Sequence, residues 1–211
     1  MQREFWIAFL LALTLPGVAA AQRMEPSKDW EVGDKAIFAW TLNNKTQQVE
    51  EECTGVTDQE VQIRQKLAAR NLEAALAKGS YQTLRAMCIS NGQQCGFSPA
   101  LEFASLPLER GKQWSQTFTV KGETFTAEVT QERKAEKIEK VKVPAGEFDA
   151  FKIAYTGRIR GTDAKGSPFS GKEEGSNWVA LVNGKITVVK MVYRNSFGEK
   201  ASRELTSISF K

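Results

Sequence analysis

Apolar and polar residues alternate with a period of two along most of the chain, which predicts β-strands joined by short turns. The clearest stretch is residues 141–153, VKVPAGEFDAFKI, where Pro144 and Gly146 mark a turn. Proline removes a backbone donor and glycine accepts a positive φ, so both favour a reversal there. The next strand has an apolar and a basic face, namely Phe151, Ile153 and Tyr155 against Lys152, Thr156, Arg158 and Arg160.

A hairpin is predicted to turn at residues 121–122. Its register sets Trp114 opposite Val129 and Phe118 opposite Phe125, so that the large apolar side chains share one face. A second hairpin is predicted over residues 178–193. It turns at Asn183-Gly184, because Asn-Gly is the favoured pair for a two-residue turn.

Four segments are less regular. Residues 67–78 have the composition of a helix but lie between strands, and we predict a strand with a helix as the alternative. Residues 97–114 contain prolines and are expected to form a long crossing connection outside the central strands. The charged run 132–142 predicts a solvated edge strand or a short helix. Residues 161–175 are polar and glycine-rich, and are expected to form a loop.

Together these patterns predict a mainly β fold. About ten strands form an antiparallel meander curled into a barrel, half-barrel or sandwich, with at most one short helix besides the leader. The chain has 211 residues of ordinary globular composition, so we expect one domain over residues 22–211.

The first 21 residues have the organisation of a signal peptide. Arg3 precedes an apolar run over residues 5–15, and small residues follow up to the predicted cleavage after Ala21, or alternatively after Ala20. The apolar run is shorter than the about 20 residues of a membrane-spanning helix. The first cysteine is Cys53, so a lipid anchor at the cleavage point is not expected. We predict an exported protein that is periplasmic and does not span the membrane after cleavage.

Export makes a disulfide plausible for two of the three cysteines. Cys88 and Cys95 flank Asn91-Gly92, and a two-residue turn there would place these cysteines opposite each other. We predict that they form a disulfide and that Cys53 stays buried and free. Pairing of Cys53 with either of the others remains an alternative.

Three segments carry a resemblance to a known family: PLERGKQW over residues 107–114, VPAGEFDAFKI over 143–153, and the hairpin over 178–190. They resemble an uncharacterised family of exported, β-rich periplasmic proteins of Gram-negative bacteria, catalogued as a domain of unknown function. Relatives often carry a Tyr-Trp pair and a proline in the third segment, where this chain has Asn177 before the tryptophan and Asn183-Gly184. The resemblance implies a periplasmic antiparallel β domain. It implies no reaction and no catalytic residue.

The residues themselves argue against several classes of enzyme. The sequence has no histidine, which excludes Ser-His-Asp, Cys-His and histidine-ligated metal chemistry. It has no nucleophile elbow, phosphate loop or dinucleotide fingerprint. We therefore expect no cofactor, no metal and no catalytic residues. A hydrolase that uses paired carboxylates from residues 50–52 or 173–174 remains a less favoured alternative.

Charge is distributed unevenly along the chain. The net charge is +4, yet residues 150–211 hold 11 Lys and Arg against 5 Asp and Glu. A basic C-terminal region favours anionic envelope partners such as lipid, lipopolysaccharide or another envelope protein. Export disfavours nucleic acid as a partner.

We hypothesise a non-enzymatic periplasmic protein whose curved sheet binds an apolar or amphiphilic envelope ligand. The candidate ligand-binding residues are Trp114, Phe118, Phe125, Phe151 and Tyr155. The same residues would also suit an ordinary core. The alternative function is a structural or adaptor protein that docks an envelope component through its basic C-terminal strands.

Overall fold

A computed structural model describes residues 23–211, which form fourteen β-strands and no helix. The predicted signal peptide, residues 1–21, lies outside the described residues. The strands are β1 (Arg23–Met24), β2 (Lys35–Leu42), β3 (Lys45–Val56), β4 (Glu60–Leu67), β5 (Arg70–Ala77), β6 (Thr83–Met87), β7 (Gln94–Leu101), β8 (Leu108–Glu109), β9 (Gln113–Lys121), β10 (Phe125–Val143), β11 (Gly146–Asp163), β12 (Pro168–Val182), β13 (Lys185–Asn195) and β14 (Lys200–Ser209).

Twelve of these strands close into one antiparallel barrel. Each pairs with its neighbour in the chain, except that β9 follows β7 directly in the sheet and β14 closes the barrel by pairing with β2. The short strands β1 and β8 pair with each other outside it. The predicted antiparallel meander is thus confirmed as a closed barrel. The helix considered for residues 67–78 is a strand, because β5 pairs with β4 along its whole length.

The hairpin of β10 and β11 is the longest pairing in the barrel. Its strands are 19 and 18 residues long, and Val143 pairs with Gly146 across the predicted turn. Ala150 and Phe151 are both fully buried although they point to opposite faces of β11. They belong to different hydrophobic clusters, so the sheet is covered on both faces at this point.

The predicted register of the β9–β10 hairpin is wrong by four residues. Phe118 pairs with Val129, and Trp114 pairs with Arg133. The turn lies later than residues 121–122, since the N–H of Gly122 donates to the carbonyl of Phe125. An even shift keeps every side chain on its predicted face.

Two of the predicted connections are strands. Residues 161–175 belong largely to β11 and β12, which pair from Ala150 to Thr162. The crossing connection is shorter than predicted, because β7 continues to Leu101. Its pairing with β9 ends at Ser98, immediately before Pro99, which has no N–H to donate. Within the charged run, Lys137–Val143 pairs with β11 alone, as in an edge strand.

One end of the barrel, here called the floor, is closed by residues 27–34 and the β12–β13 turn. That turn is the predicted Asn183-Gly184 pair, with φ values of 50° and 79°. The N–H of Ser27 donates to the carbonyl of Gly184 over 3.0 Å, and the indole N–H of Trp30 donates to the carbonyl of Ile186 over 3.0 Å. The N-terminal segment is thereby fixed across the floor.

A fully buried ion pair ties the floor together. Lys185 Nζ lies 2.7 Å from Asp34 Oδ2, and both side chains are 0% exposed. Asp34 also accepts the backbone N–H groups of Glu31 and Lys211, at 2.7 and 2.9 Å. Burial alone would raise the pKa of Asp34, but these hydrogen bonds outweigh it and hold the pKa below its ordinary value. The pair joins the N-terminal segment, the β12–β13 hairpin and the C-terminal residue.

We predict that Asp34→Asn or Lys185→Met each lowers the free energy of unfolding by about 3–5 kcal/mol, because one buried charge loses its partner. Because the pKa of Asp34 is depressed in the folded state, its contribution is present above about pH 4 and is lost as pH falls through the folded pKa. Urea unfolding at pH 7 and at pH 3 measures both effects. The exposed pair of Lys140 and Glu147 supplies a control, since Glu147→Gln should leave the free energy of unfolding nearly unchanged. Equal losses for Asp34→Asn and Glu147→Gln would contradict this role.

Candidate functional site

The barrel encloses a cavity of about 540 Å³. Its wall is largely apolar and is formed by inward-facing side chains of most of the strands, among them Phe38, Ile63, Phe118, Val129, Ile159 and Met191. A volume of this size lies within the about 300–1,000 Å³ of typical small-molecule sites. The interior is therefore large enough to hold an organic ligand.

The five residues predicted to bind a ligand divide into two groups. Phe118, Phe125 and Tyr155 line the cavity. Phe151 and Trp114 instead pack with Leu108 in a separate cluster near the floor. Phe151 lies on the same face of β11 as Tyr155 but nearer the start of the strand, where Ala104 and Leu106 of the connection before β8 pack with it. Strand periodicity predicted that these residues face the interior, but it could not show which part of the interior the connection before β8 would occupy.

Sequence reasoning missed a row of polar side chains across the inner wall. In register on β10, β11, β12 and β13 lie Arg133, Tyr155, Gly175 and Tyr193. The glycine makes room for the tyrosine ring, because a Cβ there would lie 2.5 Å from the Tyr155 hydroxyl and 2.3 Å from the carbonyl oxygen of Val192. Of the glycines that made this region resemble a loop, Gly161, Gly171 and Gly175 thus serve close packing, and Gly166 lies in the turn with a φ of 81°.

Arg133 is the central residue of this row. It is only 3% exposed, and it lines the cavity. Its Nε and one terminal nitrogen donate to Gln131 Oε1 at 2.9 and 2.6 Å, and the other terminal nitrogen lies 3.5 Å from the carbonyl oxygen of Phe103. The guanidinium carbon lies 4.6 Å from the centre of the Tyr155 ring. Burial lowers the pKa of Arg133 to about 10, so it stays charged at neutral pH.

Gln131 connects Arg133 to an acidic residue. Its amide nitrogen donates to Glu173, whose carboxyl also accepts the hydroxyl of Tyr193. Burial raises the pKa of Glu173, which favours its neutral form relative to an exposed glutamate. Burial likewise raises the pKa of Tyr155 and of Tyr193. The inner wall thus places a charged guanidinium beside a carboxyl and two hydroxyl groups whose pKa values are raised by burial.

A second polar group on the cavity wall is internally paired. An Arg203 terminal nitrogen lies 2.7 Å from Glu51 Oε1, which also accepts the amide of Gln65 over 2.6 Å. The guanidinium carbon of Arg203 lies 3.5 Å from the centre of the Phe38 ring. In this group the cation has a carboxylate partner, which distinguishes it from Arg133.

The end of the barrel opposite the floor, here called the mouth, carries three neighbouring aromatic rings. Phe125, Phe169 and Phe197 have ring centres 6.5 and 5.8 Å apart in edge-to-face geometry. All three line the cavity, and Phe197 is 48% exposed. The cavity therefore reaches the surface beside an apolar, aromatic edge.

The β6–β7 loop, residues 88–93, covers part of the mouth. The carbonyl of Ile89 accepts the indole N–H of Trp40 over 3.1 Å, and the carbonyl of Gly92 accepts Arg70 over 3.0 Å. Cys88 and Cys95 form a disulfide with Cα atoms 5.6 Å apart.

The loop is longer than the two residues predicted. Met87 pairs with Gln94, so Cys88 lies opposite Gln93 rather than opposite Cys95. Cys53 is free and buried.

The acidic candidates are distributed as strand alternation requires. Glu51 and Glu173 line the cavity, whereas Glu52 and Glu174 bind Arg64 and Arg194 on the outer face. Residues 23–211 contain no cluster of three or more potential metal ligands. They also hold no helical segment with the length and hydrophobicity of a membrane span.

Solved structures share this fold. A proposed exported protein with a YmcC-like fold from Bacteroides fragilis aligns with a TM-score of 0.56 and 14% identity over 89% of this chain and 99% of its own. A proposed lipoprotein from Parabacteroides distasonis gives 0.56 and 13% over 89% and 100%. At these identities the similarity shows a common fold alone. No protein-family model and no curated protein matches the chain, so the family resemblance of the three motifs stays a prediction.

We predict that removing the disulfide loosens the loop over the mouth. Cys88→Ser with Cys95→Ser should lower the free energy of unfolding by about 2–3 kcal/mol, the loop-closure contribution for a ring of about eight residues. Urea unfolding with and without reductant measures this, and reductant should shift the wild type but not the double variant. A wild-type midpoint that is insensitive to complete reduction would contradict the prediction.

Proposed function

We propose that this protein binds an apolar or amphiphilic ligand inside its barrel and acts without catalysis in the periplasm. The observation that carries the proposal is the cavity of about 540 Å³ with a mainly apolar wall. Natural cores pack to a density that leaves few voids larger than a water molecule. A cavity this large costs stability unless something occupies it, which makes binding a better explanation than imperfect packing.

The organisation of the two ends supports a binding role. The floor is closed by the Asp34–Lys185 pair and by Trp30, which lines the cavity. The mouth has the exposed ring of Phe197 at its edge and the β6–β7 loop, which a disulfide closes and which Trp40 and Arg70 bind. A container with one closed end and one apolar entrance suits a molecule that enters from a lipid phase or from a carrier.

The location rests on sequence features together with the disulfide. Residues 1–21 have the pattern of a signal peptide, and the Cys88–Cys95 bond fits an oxidising compartment. Proteins of the same fold are described as exported or as lipoproteins, which agrees with an envelope location.

The cavity chemistry supports binding rather than hydrolysis. Glu51 is held by Arg203 and Gln65, and Glu173 is held by Gln131 and Tyr193. Each carboxyl thus has side-chain partners that fix it to the wall. The sequence also lacks histidine, the side chain most used for proton transfer near neutral pH.

We predict that filling the cavity abolishes binding of an uncharged apolar probe. Ala127 is buried in the cavity wall, and Ala127→Phe would place a ring in the space. N-phenyl-1-naphthylamine should fluoresce with the wild type and lose at least tenfold in affinity with Ala127→Phe. Ala154→Phe is the matched control, because Ala154 lies on the same hairpin but not in the cavity wall, and it should bind as the wild type does. A wild type that leaves the probe dark, or equal binding by Ala127→Phe, would refute the proposal.

A second candidate function, docking to an anionic envelope surface, is favoured by one feature of the outer face. Three basic side chains are exposed there: Arg158, Arg160 and Lys172. Arg158 lies opposite Lys172 in the strand register. Among residues 23–211, no carboxylate lies within 4 Å of any of the three. Like charges in register are unfavourable unless an anion offsets them. Co-sedimentation with phosphatidylglycerol vesicles at low salt, reduced by Arg158→Gln with Lys172→Gln, would support docking. Equal sedimentation with neutral phosphatidylcholine vesicles would contradict it.

A further inference from the structure

We propose that the cavity selects a single-chain amphiphile with an anionic head group, a long-chain carboxylate, and that the guanidinium of Arg133 receives the head. This rests on the proposed binding function and adds to it the chemical class of the ligand. The first support is a charge that the protein leaves without a partner. Among residues 23–211, no carboxylate lies within 4 Å of Arg133, although this side chain is only 3% exposed. Buried charges in proteins are normally paired.

A second buried cation and a largely buried one, Lys185 and Arg203, follow that rule. Lys185 is paired with Asp34 at 2.7 Å, and Arg203 is paired with Glu51 at 2.7 Å. Arg133 instead contacts the neutral amide oxygen of Gln131, where a glutamate of nearly the same shape would have supplied a carboxylate. The fold can therefore pair an interior cation, and at this one position it presents the charge to the cavity.

Arg133 also has hydrogen-bonding capacity to spare. A guanidinium carries five N–H donors. Three make the contacts to Gln131 and to the carbonyl of Phe103, which leaves two without a partner among the described residues. One of these donors lies on each terminal nitrogen. That arrangement matches a carboxylate, which arginine binds through two parallel hydrogen bonds.

The nearest acidic groups do not occupy this position. Glu173 is bound to the far side of the Gln131 amide, and its burial raises its pKa. Glu102 acts on Arg133 only through longer-range electrostatic attraction. A ligand carboxylate would therefore be the closest anion to the guanidinium.

The wall between Arg133 and the mouth suits a hydrocarbon tail. Along β10, Phe125 at the mouth is eight residues from Arg133, a span of about 26 Å in an extended strand. Between them Ala127 and Val129 line the cavity, and Phe118 faces Val129 from β9. The inward residues of β10 in this stretch are apolar except Gln131, whose amide is hydrogen-bonded to Glu173. The apolar part favours a long chain over a short one, because the hydrophobic gain grows with each buried methylene.

The test compares two ligands of equal chain length on the full mature chain after delipidation. Isothermal titration with palmitate and with hexadecanol separates the head group from the tail. We expect palmitate to bind at least tenfold more tightly than hexadecanol. Arg133→Gln should remove this preference and leave hexadecanol affinity within about twofold of the wild type.

Two further variants keep the test decisive if Arg133→Gln folds poorly. Gln131→Glu supplies the missing carboxylate within the protein, so palmitate affinity should fall at least tenfold while hexadecanol still binds. Arg85→Gln removes a guanidinium that is paired with Glu60 and does not line the cavity, and it should leave the preference unchanged.

The outcomes distinguish the two proposals. If the wild type binds neither palmitate nor hexadecanol, the proposed binding function fails. If it binds both equally, or if the preference survives in Arg133→Gln and Gln131→Glu, the binding function stands and the head-group assignment is overturned. Loss of preference in both variants with hexadecanol binding retained would support it.

Discussion

Closure of a twelve-stranded sheet encloses more volume than its own side chains fill, and the rest of this structure follows from that constraint. About eight strands give a barrel that side chains can pack, whereas additional strands leave space inside. Here β14 pairs with β2 and completes the ring, so every inward face contributes to one shared interior. The interior is therefore closed at the floor by one set of residues and lined along the wall by another.

The floor and the cavity wall are built with different chemistry. At the floor, the buried pair of Lys185 and Asp34 fixes the N-terminal segment and the last residue against the β12–β13 turn. Along the wall, Gly157 and Gly175 remove side chains where a Cβ would clash with Glu173 or with Tyr155. These absences create room for the polar row that contains Arg133. The interior thus holds polar groups at defined positions although side chains do not fill it.

Much of the architecture is predictable from the sequence, since alternation and turn residues act locally. The turn at Asn183-Gly184, the strand that contains Phe151 and the disulfide of Cys88 and Cys95 are all present in the structure. The register errors arose where a turn was longer than its central dipeptide suggests. In the β6–β7 loop Cys88 lies opposite Gln93, because four residues rather than two form the turn.

The candidate site is less predictable, because it depends on neighbours far apart in the chain. Arg133 lay in a run of mixed charge that is typical of a solvated strand, and nothing local indicated that it faces inward. Only the pairing of β10 with both β9 and β11 places it beside Tyr155. Similarly, the packing that takes Phe151 away from the cavity comes from the connection before β8, whose path has no periodic signal.

Native mass spectrometry of the protein, purified gently from its natural host, tests most directly whether the barrel carries a ligand. The account predicts a reproducible added mass that disappears on denaturation, and lipid extraction should yield an amphiphile that explains it. A bare polypeptide in every gentle preparation, with no affinity for added amphiphiles, would contradict the central claim. The interior would then be a packing defect that the fold tolerates.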